Sequence, residues 1–184
     1  MCLAAKGLGS QGADMKHNKS RAYTQAELMS DAFVHVAGLA AVAGAVPVLI
    51  VLAAILRGDA PAVVGASIYG ATLILMILCS ALYNMVRDPG WTWILRRLDH
   101  SAIYLKIAGT YTPFALISGQ GGALTMGLWG AALCGVAMKL ASPARFRWVA
   151  LALYLGMGWA GVVAGQSMLA VLPAPVVVLM GVGG

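Results

Sequence analysis

Charge is what this sequence has least of. Twelve Lys and Arg and six Asp and Glu stand among 184 residues, 61% of which are hydrophobic, and the mean hydropathy is +0.86. A soluble domain carries roughly 25% charged residues, so this chain lacks the polar surface to stay dissolved. Cysteine is equally thin. Its three copies form no CxxC pair and no metal-like spacing, which excludes a disulfide framework and a cysteine metal centre. Cys79 and Cys134 fall inside apolar segments, where a thiol packs as a small hydrophobe, and Cys2 lies in the tail. Basic stripes interleaved with aromatics are missing as well. The net charge of +6 comes from short clusters between apolar runs, so it speaks for membrane topology and against a nucleic-acid partner.

What the chain does have is long apolar runs, each about 20 residues and so of spanning length. They predict an all-α, polytopic transmembrane bundle with spans near 32–56, 62–86, 100–118, 122–140, 147–165 and 167–183. The breaks "LRGDAPA", "RDPGWTWILRRLDH", "SGQGG", "KLASPARFR" and "AGQ" hold Gly, Pro, charge or a polar amide, as loops do. Residues 1–30 read as a polar, partly disordered leader ahead of a membrane domain at 31–184, and Met15 would serve as a start as well as Met1. With the N-terminus in the cytoplasm, alternate loops place Lys6, Lys16, Lys19, Arg21, Arg87, Arg96, Arg97, Lys139, Arg145 and Arg147 inside and Arg57 outside. That asymmetry favours this orientation, and it sets Trp91 and Trp93 at the headgroup level. The chain stops on "PAPVVVLMGVGG" without an anchoring residue, which leads to the expectation that a seventh segment has been lost.

Ionisable groups at bilayer depth cost roughly 2.5–3.5 kcal/mol on insertion scales, so those that are present need a partner or a wet cavity. Asp99, Ile103, Lys106 and Thr110 follow a helical stripe. Asp99 either caps the third span or lines a polar cavity; Lys106 either snorkels or lines the same cavity. Glu27, Asp31 and His35 recur every fourth residue. The two acids suit a helix N-terminus, whereas His35 falls a full turn inside the apolar zone. Ser80 and Asn84 share one face of the second span, an arrangement that commonly glues helices. Pro113 should bend the third helix and Gly109 should allow close approach there, with Thr110 and Thr112 able to repair the broken ladder.

Three stretches, "SDAFVHVAG" at 30–38, "SALYN" at 80–84 and "RLDHSAIYLKIAGTYTPF" at 97–114, resemble the hemolysin III family, the bacterial branch of the progestin and adipoQ receptor group. The resemblance runs from about residue 22 to the end. It implies a seven-helix protein of the bacterial inner membrane with lipids as its surroundings and partners. It also implies a zinc site near the cytoplasmic face. Ser80 would then be the supporting serine and Asp99 the aspartate holding a metal-bound water, the two catalytic candidates. The first histidine ligand falls on Asn84, a departure, and two further histidines of a seventh segment have no counterpart. Zinc therefore belongs to the complete family pattern, and this chain as written offers no competent zinc site. His35 and His100 are substitutes in principle, but His100 points about 100° away from Asp99 on a helix.

Two functions follow from the resemblance. One is a membrane-homeostasis, receptor-like or cytolysis-associated protein, which the loss of a ligand at Asn84 favours. The other is a ceramidase-like, zinc-dependent hydrolase of lipid amides, in which Asp99 would be the general base. Against a lytic pore, no segment is amphipathic enough to line a channel.

Overall fold

The computed structural model describes residues 25–86, 88–119, 122–141, 147–164 and 178. The chain divides into a short N-terminal unit, residues 1–31, and a larger unit, residues 32–184. Among the described residues there are five helices and no strand: α1 (Gln25–Leu56), α2 (Ala60–Met85), α3 (Pro89–Ser118), α4 (Gly122–Ala141) and α5 (Arg147–Ala164). Three stretches are long and apolar enough to cross a bilayer: Met29–Leu56, Ala60–Met85 and Gly122–Ala141. The α5 helix holds a shorter apolar stretch, Trp148–Ala160. The sixth predicted span lies outside the described residues apart from Val178.

Helix α3 corrects the expected boundaries. It starts at Pro89, not near residue 100, so most of the stretch read as a loop is helical. The reason is local. The Asp88 carboxylate accepts from the Gly90 amide at 2.8 Å, and Pro89 fills the first helical position, where no amide hydrogen is required. Asp99 is therefore well inside the helix and caps nothing. At 30 residues, α3 is about 45 Å long. It ends at Gly119, whose φ of +65° suits a residue without a side chain.

α3 is also the centre of the larger unit, packing against α2, α4 and α5. Small residues set its distance from α2. A Cβ on Gly109 would collide with the Thr72 side chain, and one on Gly65 with Pro113. On the opposite side, Tyr104 lies against Gly135 of α4 and donates to the Ala150 carbonyl of α5 at 2.8 Å. Tyr104, Ala108, Leu128, Ala132, Ala150 and Met157 form the core there. Tyr111 donates to the Gly158 carbonyl at 2.6 Å, and the Trp129 indole donates to Thr112 at 3.2 Å. Thr112 in turn donates to the Ala108 carbonyl at 2.8 Å, one turn before Pro113, so a threonine hydroxyl does bond the backbone beside the proline. Between two tyrosines and a tryptophan, each polar atom has a partner where water is scarce.

Within the larger unit α1 is the loosest element. Its apolar side chains are mostly exposed, Phe33 and Ile55 among them. Val46 is the exception, 6% exposed and seated in the notch that Gly70 leaves in α2.

Candidate functional site

One helical turn of α2 supplies Ser80 and Asn84. The Asn84 amide donates to the Ser80 carbonyl at 2.8 Å, a bond that the four-residue spacing permits. The histidine of α1 comes to the same place. His35 Nε2 lies 3.4 Å from Ser80 Oγ and 3.3 Å from Asn84 Nδ2. The Asn84 amide nitrogen can only donate, so in that contact Nε2 is the acceptor. The structure thus brings His35 to Ser80 and Asn84, which the sequence had already placed on one face of a helix.

Asp99 adjoins this group without bonding to it. Its side chain is 21% exposed, and it comes near enough to Cys79, the residue before Ser80, for its charge to act there. Its polar contact is with neighbouring His100, whose Nδ1 lies 3.4 Å from the carboxylate. His100 itself is half exposed. The carboxylate is therefore covered mostly by protein and does not point into open solvent.

Lys106 is a separate feature. Its ammonium donates to Thr110 Oγ1 at 3.1 Å and sits 3.5 Å from the centre of the Tyr69 ring. Both partners draw it towards the C-terminal end of α3, away from Asp99, and no ion pair joins the two among the described residues. Asp99 and Lys106, read as possible neighbours in one cavity, thus make separate polar contacts. A cation between an aromatic face and a hydroxyl is partly compensated inside an apolar bundle. Thr110 was visible in the four-residue spacing; Tyr69 was not. Asp31 is exposed and belongs to the N-terminal unit.

Would these residues hold zinc? A catalytic zinc takes three protein ligands from imidazole, carboxylate or thiolate and keeps a position for water. The group offers a single imidazole with a hydroxyl and an amide, and the imidazole nitrogen is engaged by the other two. Among the described residues no three His, Cys, Asp or Glu side chains gather in the manner of a metal centre. The site does not fit a zinc ion.

Residues 24–183 match the family described as haemolysin-III related. The chain is 38% identical over 143 residues to hemolysin-3 of Bacillus cereus, a match covering 75% of this chain and 64% of that protein. It is 34% identical over 165 residues to a hemolysin-3 homolog of Bacillus subtilis, covering 88% of this chain and 77% of the relative. The chain thus spans slightly less than two thirds of the length of the Bacillus cereus protein. No solved structure matches. An apolar helical bundle, the three sequence motifs and a match over nearly the whole chain agree: this is a membrane protein, and it belongs to the haemolysin-III related family.

Proposed function

We propose that the chain is a multi-pass protein of the bacterial inner membrane, N-terminus in the cytoplasm, that alters the integrity of the bilayer around it without a metal centre. The name of the Bacillus cereus relative, hemolysin, supplies the direction, and the basic residues clustered on one side supply the orientation. The observation that carries the metal-free part is the bonding of His35 to both Ser80 and Asn84. These bonds give the polar atoms partners from protein, as a polar cluster in hydrocarbon needs.

The ceramidase-like alternative has one observation in its favour, the protein-covered Asp99 close to Cys79. Among the described residues no further ligands gather at that carboxylate to hold a metal-bound water.

A dye-release assay tests the proposal. The purified full-length chain is reconstituted in anionic phospholipid vesicles, with and without a zinc chelator. Dye release that exceeds protein-free vesicles and ignores the chelator is the expected result. Release abolished by the chelator and restored by zinc would overturn the metal-free reading, and no release at any protein-to-lipid ratio would overturn the bilayer role.

A further inference from the structure

Two cations stand at one mouth of the α3–α4 seam. On α3, Arg97, Ser101, Tyr104 and Ala108 follow a helical stripe, and on α4 Leu128, Ala132, Gly135 and Lys139 follow another. The contact of Tyr104 with Gly135 sets their register. From it, Arg97 lies about 10 Å along α3 and Lys139 about 6 Å along α4, towards the same end. Arg97 also donates to the carbonyl of Leu140, next to Lys139, at 2.6 Å. Ser101, one turn deeper than Arg97, is 4% exposed, and its hydroxyl has no hydrogen-bond partner.

Charge balance at this mouth calls for an anion. Among the described residues the ion pairs are Arg57 with Asp59 and His100 with Asp99, so neither Arg97 nor Lys139 meets an acid. Asp99 lies about 160° round α3 from Arg97, and Asp88 accepts from the Gly90 amide. The C-terminal end of α4 contributes roughly half a negative charge, against two positive ones. Depth then selects the kind of anion. Trp91, Trp93 and Trp148, in the opening residues of α3 and α5, are 60%, 58% and 71% exposed. Arg97 stacks over the Trp93 ring, 4.9 Å from its centre. Exposed tryptophans beside arginines mark the headgroup level, where the abundant anion is the lipid phosphodiester.

From this geometry we infer that Arg97 and Lys139 form a binding site for the headgroup phosphate of an anionic phospholipid, at the tryptophan-rimmed end of the α3–α4 seam. Arg97 supplies a planar fork that grips two phosphate oxygens, and its contacts with Trp93 and the Leu140 carbonyl hold that fork in place. One of its five N–H groups is engaged by Leu140, which leaves donors for the lipid. Lys139 adds a second, compact positive charge. Together they select against a zwitterionic headgroup, whose own cation they repel. The inference goes beyond the bilayer role proposed above and stands whether or not the protein releases dye.

Native mass spectrometry of the full-length chain tests it, with phosphatidylglycerol and phosphatidylcholine of identical acyl chains as the probes. Preferential retention of phosphatidylglycerol is expected. Lys139→Gln should weaken that retention about fivefold, and Arg97→Gln by at least as much. Arg97→Lys keeps the charge without the fork and should fall between wild type and Arg97→Gln. Arg57→Gln, at the opposite end of the bundle, should leave retention unchanged. Because Arg97 also bonds the end of α4, a lower melting temperature in its variants shifts the decision to Lys139→Gln, which breaks no ion pair. Equal retention of the two lipids overturns the inference, as does undiminished phosphatidylglycerol binding in Lys139→Gln or an equal loss in Arg57→Gln. Displacement of the lipid by millimolar inorganic phosphate would make this a site for a soluble anion and overturn the lipid assignment.

Discussion

The two sides of α2 are held in opposite ways. Towards α3 the contact is close and built from absences: Gly65 against Pro113 and Gly109 against Thr72, where an added methyl group would collide. Towards α1 it consists of Val46 in the Gly70 notch and the His35 bonds to Ser80 and Asn84. Helix pairs in a membrane gain little from hydrophobic burial, since lipid is as apolar as leucine, so close packing and polar bonds must hold them. The first interface uses packing along its whole length. The second, among the described residues, uses one knob and one polar cluster. The comparison teaches that one helix can be held by close packing on one side and by a few contacts on the other.

Gly109→Leu should break the firm side most severely. Its side chain has nowhere to go but into Thr72, and overpacking of this kind costs about 1–3 kcal/mol or more; loss of the monodisperse peak in size-exclusion chromatography is expected. Tyr104→Phe comes next. It removes the hydroxyl that donates to the Ala150 carbonyl, for a loss of about 1 kcal/mol measurable as a lower melting temperature. His35→Ala on the loose side should cost about 0.6 kcal/mol, the usual worth of an interhelical polar contact in a membrane. Maleimide labelling of a cysteine placed at position 84 in a cysteine-free background should nevertheless become faster when His35 is also removed. Equal losses for His35→Ala and Gly109→Leu would erase the distinction between the two interfaces. The smallest effect belongs to Lys106→Met. It trades a half-compensated cation for a side chain of similar length, so thermal stability should stay level or rise slightly.

Much of this architecture was legible in the sequence because the bilayer imposes a simple rule on length and apolarity. The α2 and α4 boundaries and the end of α1 fall close to the predicted spans for that reason, whereas α1 begins at Gln25, inside the stretch read as a polar leader. The start of α3 escaped, although Asp88-Pro89 is a helix-start pattern, because the Gly, Pro, Trp and charged residues of the stretch 87–100 gave it a loop-like composition that outweighed it. Misplacing that start made Asp99 look like a cap. At the site, Ser80 with Asn84 and Lys106 with Thr110 could be read from four-residue spacing. Contacts across 45 residues could not: His35 was conspicuous only as a histidine too deep for comfort, and nothing in the spacing named Ser80 as its partner. Tyr69 under Lys106 was silent for the same reason.

The central claim is that this polar group is closed by hydrogen bonds and not by a metal ion. Elemental analysis by mass spectrometry of the full-length chain, purified without chelator and in parallel as Asn84→His, tests it most directly. The account predicts far less than one zinc per wild-type chain, with a rise in Asn84→His, where a second imidazole would stand beside His35. One zinc per wild-type chain, resistant to dialysis, would contradict it.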